Sequence, residues 1–324
     1  MTRTIRTLLG AASVLLLSTG LTAAQTYPNK PVRVVVAWPP GSIIDVLMRI
    51  MVEPLSADLG QPVVIDNKAG ATGVVGAELV AQSPPDGYTL LFTSAALNMV
   101  KAMGQKTPYE MPDSFAPVVN TAWSPMVLVA HPSLNLKTPQ DLVALAKAKP
   151  GQLFYATSGN GAPSHFTAEL FRYRTGINAT SVAYRGSPQA MTDQIAGQVQ
   201  FHFAVSSTAL PPVNDGRVTA LGVTSKKRLD VAPEIPTMEE QGFANFQASY
   251  WNGLLGPKGL PLPIAERLAA SVNKVLANPD VLRRAAPSAN EIDGKSTPQS
   301  FTALIAEDYK TWAEVAKVAN IKPE

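Results

Sequence analysis

The sequence contains no cysteine, which excludes disulfides and thiolate metal sites. It has only three histidines, His131, His165 and His202, and each falls in a different predicted element, so no metal centre is expected. Beyond the first 24 residues, no apolar run approaches the ~20 residues of a membrane-spanning helix. Basic residues form no stripe interleaved with aromatic residues, so nucleic acid is not an expected partner.

Residues 1–24 have the features of a secretory signal peptide. Arg3 and Arg6 precede an apolar run over residues 8–21, and Thr22-Ala23-Ala24 offers small side chains for cleavage. An uncleaved N-terminal anchor is the alternative interpretation. Cleavage after residue 24 leaves 300 of the 324 residues, enough for a large core and two domains. It also lowers the formal net charge from +3 to about +1. We therefore expect an exported protein.

Apolar, β-branched segments alternate with helical patterns along the remaining chain, which predicts an α/β fold with mainly parallel sheets. Helices are expected over residues 43–59, 74–82, 163–175 and 263–276, and a short turn and helix over residues 233–242. Two extended segments, residues 115–130 and 246–255, predict two crossings between lobes. The expected organisation is a signal peptide (1–24), lobe 1 (25–121 and 250–324) and lobe 2 (122–249).

The first strand is followed by Trp38-Pro39-Pro40-Gly41 and then by a helix. Ser42 and Asp45 form a variant of the capping box at its start. A helix start presents unpaired backbone N–H groups and about half a positive charge, which suits an anion. Asp45 is either an acid or cation ligand, or a first-turn carboxylate that counters the helix dipole. The loop therefore predicts an anion-binding site.

Similar loops follow later strands. Residues 158–162 precede a helix that begins at Pro163, and Tyr184-Arg185-Gly186 precedes Ser187, which is expected to be an N-cap. Residues 94–96 and 206–208 are expected to be strand-end loops as well. Ligands in open α/β sheets bind outside the carboxyl ends of strands, so these loops are expected to border one site.

Several functions compete for these loops. A serine hydrolase would use one serine with His165 as base, but the sequence lacks the Gly-x-Ser-x-Gly motif. Neither a Gly-x-Gly-x-x-Gly fingerprint nor a phosphate loop is present, so no nucleotide cofactor is expected. Arg185 either pairs with a ligand or is solvated, and His165 either faces a ligand or caps a helix. His202 is expected to be structural, and an adhesive export protein is a further alternative.

The chain resembles the Bug family of periplasmic solute receptors, which serve tripartite tricarboxylate transporters. The resemblance spans nearly the whole mature chain and rests on these motifs: Tyr27-Pro28-Asn29-Lys30-Pro31, Pro39-Pro40-Gly41 with Asp45, Leu59-Gly60-Gln61-Pro62-Val63, Pro85-Asp86-Gly87-Tyr88-Thr89-Leu90, Ser158-Gly159-Asn160-Gly161 with Ser164-His165, Tyr184-Arg185-Gly186, Trp251-Asn252-Gly253-Leu254 and Ile321-Lys322.

The resemblance implies a type II-like, two-lobed Venus flytrap fold, in which each lobe is a mainly parallel sheet flanked by helices and two hinge strands join the lobes. It implies a monomeric, non-enzymatic periplasmic receptor that binds a small carboxylate without cofactor or metal. The partner would be the membrane components of a tripartite tricarboxylate transporter, or a sensor in some relatives. The candidate ligand-binding residues are Trp38, Pro39, Pro40, Gly41, Ser42, Ile43, Ile44, Asp45, Ser94, Ala95, Ser158, Gly159, Asn160, Gly161, Ala162, Ser164, His165, Tyr184, Arg185, Gly186, Ser187, Ala204 and Ser206.

Two positions depart from the family pattern. Ser42, Ile43 and Ile44 stand where relatives have a second glycine and small polar residues, and Ala204 stands where many relatives have an acidic residue. Both departures predict a less polar pocket. The expected ligand is therefore an aromatic or otherwise apolar carboxylate without an ammonium group.

Overall fold

The computed structural model describes residues 27–323, and the predicted signal peptide lies outside them. The strands are β1 (Val32–Val36), β2 (Val63–Asn67), β3 (Thr89–Ser94), β4 (Phe115–Ser124), β5 (Met126–Ala130), β6 (Leu153–Thr157), β7 (Ala179–Ala183), β8 (Phe201–Val205), β9 (Thr219–Val223), β10 (Tyr250–Pro257) and β11 (Glu291–Ile292). The α-helices are α1 (Ile43–Leu59), α2 (Val74–Ala81), α3 (Ala96–Ala102), α4 (Pro139–Ala148), α5 (Pro163–Thr175), α6 (Ser187–Ile195), α7 (Ser206–Asn214), α8 (Leu262–Leu276), α9 (Pro279–Ala285) and α10 (Pro298–Val318).

The strands form two sheets, one in each lobe. The sheet of lobe 1 has the order β11-β4-β10-β3-β1-β2, and that of lobe 2 has the order β7-β6-β8-β5-β9. The chain passes from the first sheet to the second at Pro125, between β4 and β5, and returns before β10. The α/β fold with two lobes and two crossings agrees with the sequence-based expectation.

Both sheets are mixed, which corrects the expectation of mainly parallel sheets. Parallel pairing holds where crossover helices connect the strands: β1 pairs with β2 and β3, and β6 pairs with β7 and β8. The strands next to the crossings pair with their neighbours in an antiparallel manner: β10 pairs with β3 and β4, and β5 pairs with β8 and β9. A chain that leaves and re-enters a lobe reverses direction there, and a periodicity signal carries no strand direction.

Local sequence signals account for the ends of the helices. Gly60 ends α1 and Gly176 ends α5, each in a left-handed conformation that glycine adopts without strain. Thr138 caps α4 through a capping box with Asp141. The strands of each sheet supply buried aliphatic and aromatic side chains to the cores, and Trp251, fully buried in β10, packs edge-on against Phe301 of α10.

Other local expectations were wrong. The strand-end segments at residues 94–96 and 206–208 begin α3 and α7 almost at once, because their small and hydroxyl side chains fit a first helical turn. Ser187 is the first residue of α6, and Gly186 is the N-cap. Residues 233–242 form turns instead of a helix; there Glu240 accepts hydrogen bonds from Arg228 Nε and from the backbone of Thr237.

Candidate functional site

A cavity of about 490 Å³ lies between the two lobes, at the ends of β1, β3, β6 and β8. It brings together the loop before α1, the start of α5 and the start of α6. The predicted site residues that line it are Trp38, Pro39, Pro40, Gly41, Ser42, Ile43, Ile44, Ser94, Ser158, Ser164, Arg185, Gly186 and Ser187. The two loops that carry the strongest sequence signals therefore share one cavity.

The start of α1 contributes backbone donors to this cavity. The Ser42 hydroxyl accepts a hydrogen bond from the Asp45 N–H at 3.3 Å, which makes Ser42 the N-cap. Gly41 has a φ of +79°, and this left-handed conformation brings its N–H to Asp45 Oδ2 at 2.8 Å. The N–H groups of Ile43 and Ile44 belong to the first helical turn, which has no intrahelical acceptors. They remain as hydrogen-bond donors beside the cavity that both residues line.

Asp45 holds this loop in place. Its side chain is only 1 % exposed and accepts hydrogen bonds from Arg49 Nε and Asn67 Nδ2, both at 2.8 Å, in addition to that from Gly41. Burial opposes ionisation of Asp45, but these hydrogen bonds outweigh it and lower the pKa of the carboxyl group. Asn67 also donates to the Trp38 carbonyl at 3.1 Å. Asp45 therefore positions the loop from behind and does not line the cavity.

The corresponding loop of lobe 2 is held by its own serines. Ser164 Oγ accepts from the Ser158 N–H at 2.8 Å and lies 2.9 Å from Ser158 Oγ. Gly161 donates its N–H to His165 Nδ1 at 3.2 Å. This arrangement places Ser158, Ser164 and Pro163 on the cavity wall at the N-terminus of α5. A second helix start therefore borders the cavity, from the opposite lobe.

The turn before α6 brings the charged residue of the cavity. Tyr184 is anchored by its hydroxyl, which donates to Asp193 at 2.9 Å, and by its N–H, which donates to the Thr157 carbonyl at 3.0 Å. The N–H of Arg185 donates to Gln189 Oε1 at 3.3 Å. Among the described residues that line the cavity, Arg185 is the only charged one.

A second cavity of about 450 Å³ adjoins the first. Both are lined by Trp38, Pro39, Ser158 and Arg185. The other walls of the second cavity come from Ala37, residues 69–73, Gly159 and Tyr184, which are mostly small residues. The cleft between the lobes thus has two chambers, with these four shared residues at their junction.

The remaining predicted site residues lie outside both chambers. Ala204 belongs to the lobe 2 core with Val127, and the next residue, Val205, lines the first cavity instead. Ser206 donates to the Pro125 carbonyl at the crossing, and the Ala95 N–H donates to the Trp251 carbonyl. The residues that line neither chamber are Asp45, Ala95, Asn160, Gly161, Ala162, His165, Ala204 and Ser206.

Sequence reasoning missed several residues that line the first cavity. Most of them directly follow a predicted loop, so extending each loop by one helical turn would have found them. Tyr250 and Ser288 come from distant segments and had no local signal. The missed residues are Val46, Pro163, Pro188, Gln189, Val205, Ser207, Thr208, Tyr250 and Ser288.

Two findings bear on other kinds of site. Within residues 27–323, no three His, Asp or Glu side chains are grouped as metal ligands. Over the same residues, no helix has the length and apolar character needed to cross a bilayer.

The chain matches the family model described as "Tripartite tricarboxylate transporter family receptor" over residues 47–321. It is 33 % identical to protein BugT of Bordetella pertussis over 321 residues, which covers 97 % of this chain and 98 % of BugT. The chain belongs to the tripartite tricarboxylate transporter receptor family. The resemblance to Bug proteins is therefore confirmed.

Solved structures of the receptor family share the two-lobed fold. The periplasmic binding protein BugD is 30 % identical, with a TM-score of 0.84, and the match covers 92 % of this chain and all of BugD. A Rhodopseudomonas palustris protein solved with adipate is 29 % identical, with a TM-score of 0.86 and coverage of 92 % and 100 %. These relatives are periplasmic solute-binding proteins and not enzymes, so the hydrolase alternative is set aside. Receptors of this family bind small carboxylates and work with tripartite transporters.

Proposed function

We propose that this chain is an exported periplasmic receptor that binds a small carboxylate in the cavity between its lobes and delivers it to the membrane components of a tripartite tricarboxylate transporter. It acts as a monomer with two lobes, residues 25–121 with 250–324 and residues 122–249. Export removes residues 1–24. Intact-mass measurement of the secreted protein tests the cleavage: we expect a chain that begins at Gln25, and a retained N-terminus would contradict it.

One observation carries the proposal. The N-termini of α1 and α5, from opposite lobes, border one cavity, and no acidic side chain of residues 27–323 lines either chamber. Helix N-termini and free N–H groups favour negative charge. A hydrogen bond to a charged group contributes about 1.5 to 3 kcal/mol. Three or four such bonds, with some apolar contact, reach the ~8 kcal/mol of a micromolar dissociation constant.

The cavity walls favour an apolar ligand body. Ile43, Ile44, Val205 and Tyr250 line the first cavity, together with several prolines and Trp38. These side chains form an apolar part of the wall, where burying a ligand ammonium group without a hydrogen bond would be costly, while the serines of the cavity, such as Ser42 and Ser164, lie at the helix starts. One solved relative holds adipate, a carboxylate with an apolar carbon chain, and another holds malate, a carboxylate with a hydroxyl group; neither ligand has an ammonium group. The ligand class is therefore an aromatic or aliphatic carboxylate without an ammonium group.

Titration calorimetry against a panel of acids tests the ligand class. We expect benzoate or hexanoate-like acids to bind with micromolar affinity and to raise the unfolding temperature. A hundredfold excess of ligand over the dissociation constant stabilises a protein by about 2.7 kcal/mol. Tight binding of glutamate, aspartate or citrate, with no response to benzoate or aliphatic acids, would reject the proposed class.

A further inference from the structure

Arg185 carries a charge that no acidic side chain among the described residues neutralises. Among residues 27–323, no carboxylate lies within ion-pair distance of its guanidinium group. Asp193, which accepts a hydrogen bond from Tyr184, and Asp45, which pairs with Arg49, have partners of their own. Within the described part of the chain, Arg185 therefore brings a positive charge without a carboxylate partner to the lining of the cleft.

The backbone of Arg185 is held in position. The hydrogen bonds of Tyr184 fix the residue before it, and Gln189 Oε1 accepts its own N–H at 3.3 Å. The side chain itself is exposed, so it remains free to reorient towards a bound molecule. A fixed backbone and an unpaired guanidinium group together suit recognition of a planar carboxylate, which arginine can contact with two parallel hydrogen bonds.

Arg185 also lies at the junction of the two chambers. It is shared between them with Trp38, Pro39 and Ser158, and within the part of the chain that the structure describes it is the only charged residue that lines either one. A carboxylate bound at this junction would lie beside the guanidinium group of Arg185 and beside Ser158, which precedes the start of α5. The apolar body of the ligand would then extend into the first cavity, which Ile43 and Val205 line.

We infer that Arg185 pairs directly with the carboxylate of the ligand at this junction and selects acids over their uncharged analogues. The inference rests on the proposed function and adds to it, since helix starts and hydroxyl groups alone would bind an anion without an ion pair. Arg185 is thus a specificity-determining residue.

The test compares acids with their amides, which have nearly the same shape but no charge. Benzoate, benzamide, hexanoate and hexanamide are titrated into wild-type protein, Arg185→Gln and Arg185→Lys. The matched control is Arg217→Gln, which removes the same charge from lobe 2 outside both chambers, where Arg217 pairs with the exposed Asp215. Thermal unfolding of each variant shows that it is folded.

We expect Arg185→Gln to weaken binding of the acid by at least about 10-fold, as the loss of a charge-assisted hydrogen bond predicts, and to leave any binding of the amide unchanged. Arg185→Lys keeps the charge and should retain part of the affinity for the acid. Arg217→Gln should match the wild type. High salt should weaken acid binding to the wild type more than to Arg185→Gln, since it screens the ion pair.

Two outcomes would overturn the inference in distinguishable ways. If the acids bind the wild type and Arg185→Gln equally well, or if Arg217→Gln causes the same loss, Arg185 is not the partner of the carboxylate and the proposed function stands. If no acid binds the wild type, the proposed function fails and the inference fails with it.

Discussion

Thr72 Oγ1 of lobe 1 donates a hydrogen bond to the Asn160 carbonyl of lobe 2 at 2.9 Å. Thr72 has a φ of 55° and a ψ of 37°, a left-handed conformation that is rare for a β-branched residue. The rings of Phe166 in α5 and Trp312 in α10 also meet edge to face, at 5.8 Å. The lobes therefore touch each other beyond the two crossings, at Thr72 in the wall of the second chamber and between α5 and α10.

Thr72→Ala should favour separation of the lobes. It removes the hydroxyl group, and loss of a neutral hydrogen bond of about 0.5 to 1.5 kcal/mol predicts a ligand affinity about 2- to 12-fold lower. Small-angle X-ray scattering should show a larger radius of gyration without ligand. Thr175→Ala is the control, since it removes a hydroxyl hydrogen bond to the Phe171 carbonyl within α5. An unchanged radius and affinity in Thr72→Ala would contradict a role for this contact.

Gly161→Ala should also disturb the contact between the lobes, for a steric reason. A Cβ atom there would lie 2.7 Å from Met103 Cε and 3.0 Å from Met103 Sδ, across the cleft. Gly176→Ala is the matched control, because Gly176 has a similar positive φ of 68° but no atom within 4 Å of its Cβ position. We expect only Gly161→Ala to lose affinity, and Gly161→Ala with Met103→Ala to regain part of it. If Gly161→Ala and Gly176→Ala lost affinity equally, backbone strain and not the contact with Met103 would explain the loss.

Asp45→Asn should loosen the loop before α1 and weaken ligand binding. Asparagine cannot accept all three hydrogen bonds from Gly41, Arg49 and Asn67, and each buried group left without a partner costs about 1 to 3 kcal/mol. Asp215→Asn, at an exposed ion pair, is the control and should change stability little. Thermal unfolding and calorimetry measure both effects. Wild-type affinity in Asp45→Asn would show that the loop does not depend on this carboxylate.

The low pKa of Asp45 also sets the sign of its pH dependence. Because the folded-state pKa lies below the unfolded value of about 3.9, the carboxylate stabilises the fold above about pH 4. This contribution is lost as the pH falls through the folded-state pKa. The difference in unfolding temperature between wild type and Asp45→Asn should therefore shrink only below about pH 4.

His202 and Asp308 should give opposite pH dependences of stability. Burial in β8 lowers the pKa of His202 to about 3, so the unfolded chain binds more protons below about pH 6.5 and stability falls as the pH falls. Burial raises the pKa of Asp308 to about 6, against hydrogen bonds from Asn98, Trp251 and Trp312, so stability falls as the pH rises from about 4 to 6.

Between about pH 4 and 6, His202 and Asp308 each change the free energy of unfolding by about 1.4 kcal/mol per pH unit, in opposite directions. The two contributions therefore nearly cancel in the wild type. Denaturant unfolding at several pH values separates them. His202→Leu should lose stability as the pH rises through this range, and Asp308→Asn should gain it. The slopes of the two variants are compared, because either substitution also changes the absolute stability. If the stability of both variants changed with pH in the same direction, the opposite pKa shifts of His202 and Asp308 would be contradicted.

The sequence was most informative where backbone chemistry is local. Pro163 and Gly176 bound α5 at the predicted residues, and Ser42 caps α1 as its spacing with Asp45 indicated. Strand direction could not be read in this way, because apolar periodicity is the same for parallel and antiparallel strands. The two loops that face the cavity were predicted because each lies between a buried strand and a helix.

The rest of the site depends on tertiary contacts. Tyr250 and Ser288 reach the first cavity from segments far from the loops in sequence, and the pairing of β10 with β3 and β4 brings Tyr250 there. Asp45 was expected at the ligand, but its partner Asn67, 22 residues away in sequence, helps to keep it behind the loop. Its side chain acts on the site only through the loop.

Both β1, near the first described residue, and the closing helix α10 belong to the same lobe, because the chain leaves that lobe and returns to it. Attachment to a sensor chip through the carboxyl terminus would therefore hold lobe 1 and leave lobe 2 untethered. A fluorescent dye on a single introduced cysteine in lobe 2 would be the sole thiol label, since the native chain has none. Such a preparation could follow ligand capture in real time without restraining lobe 2.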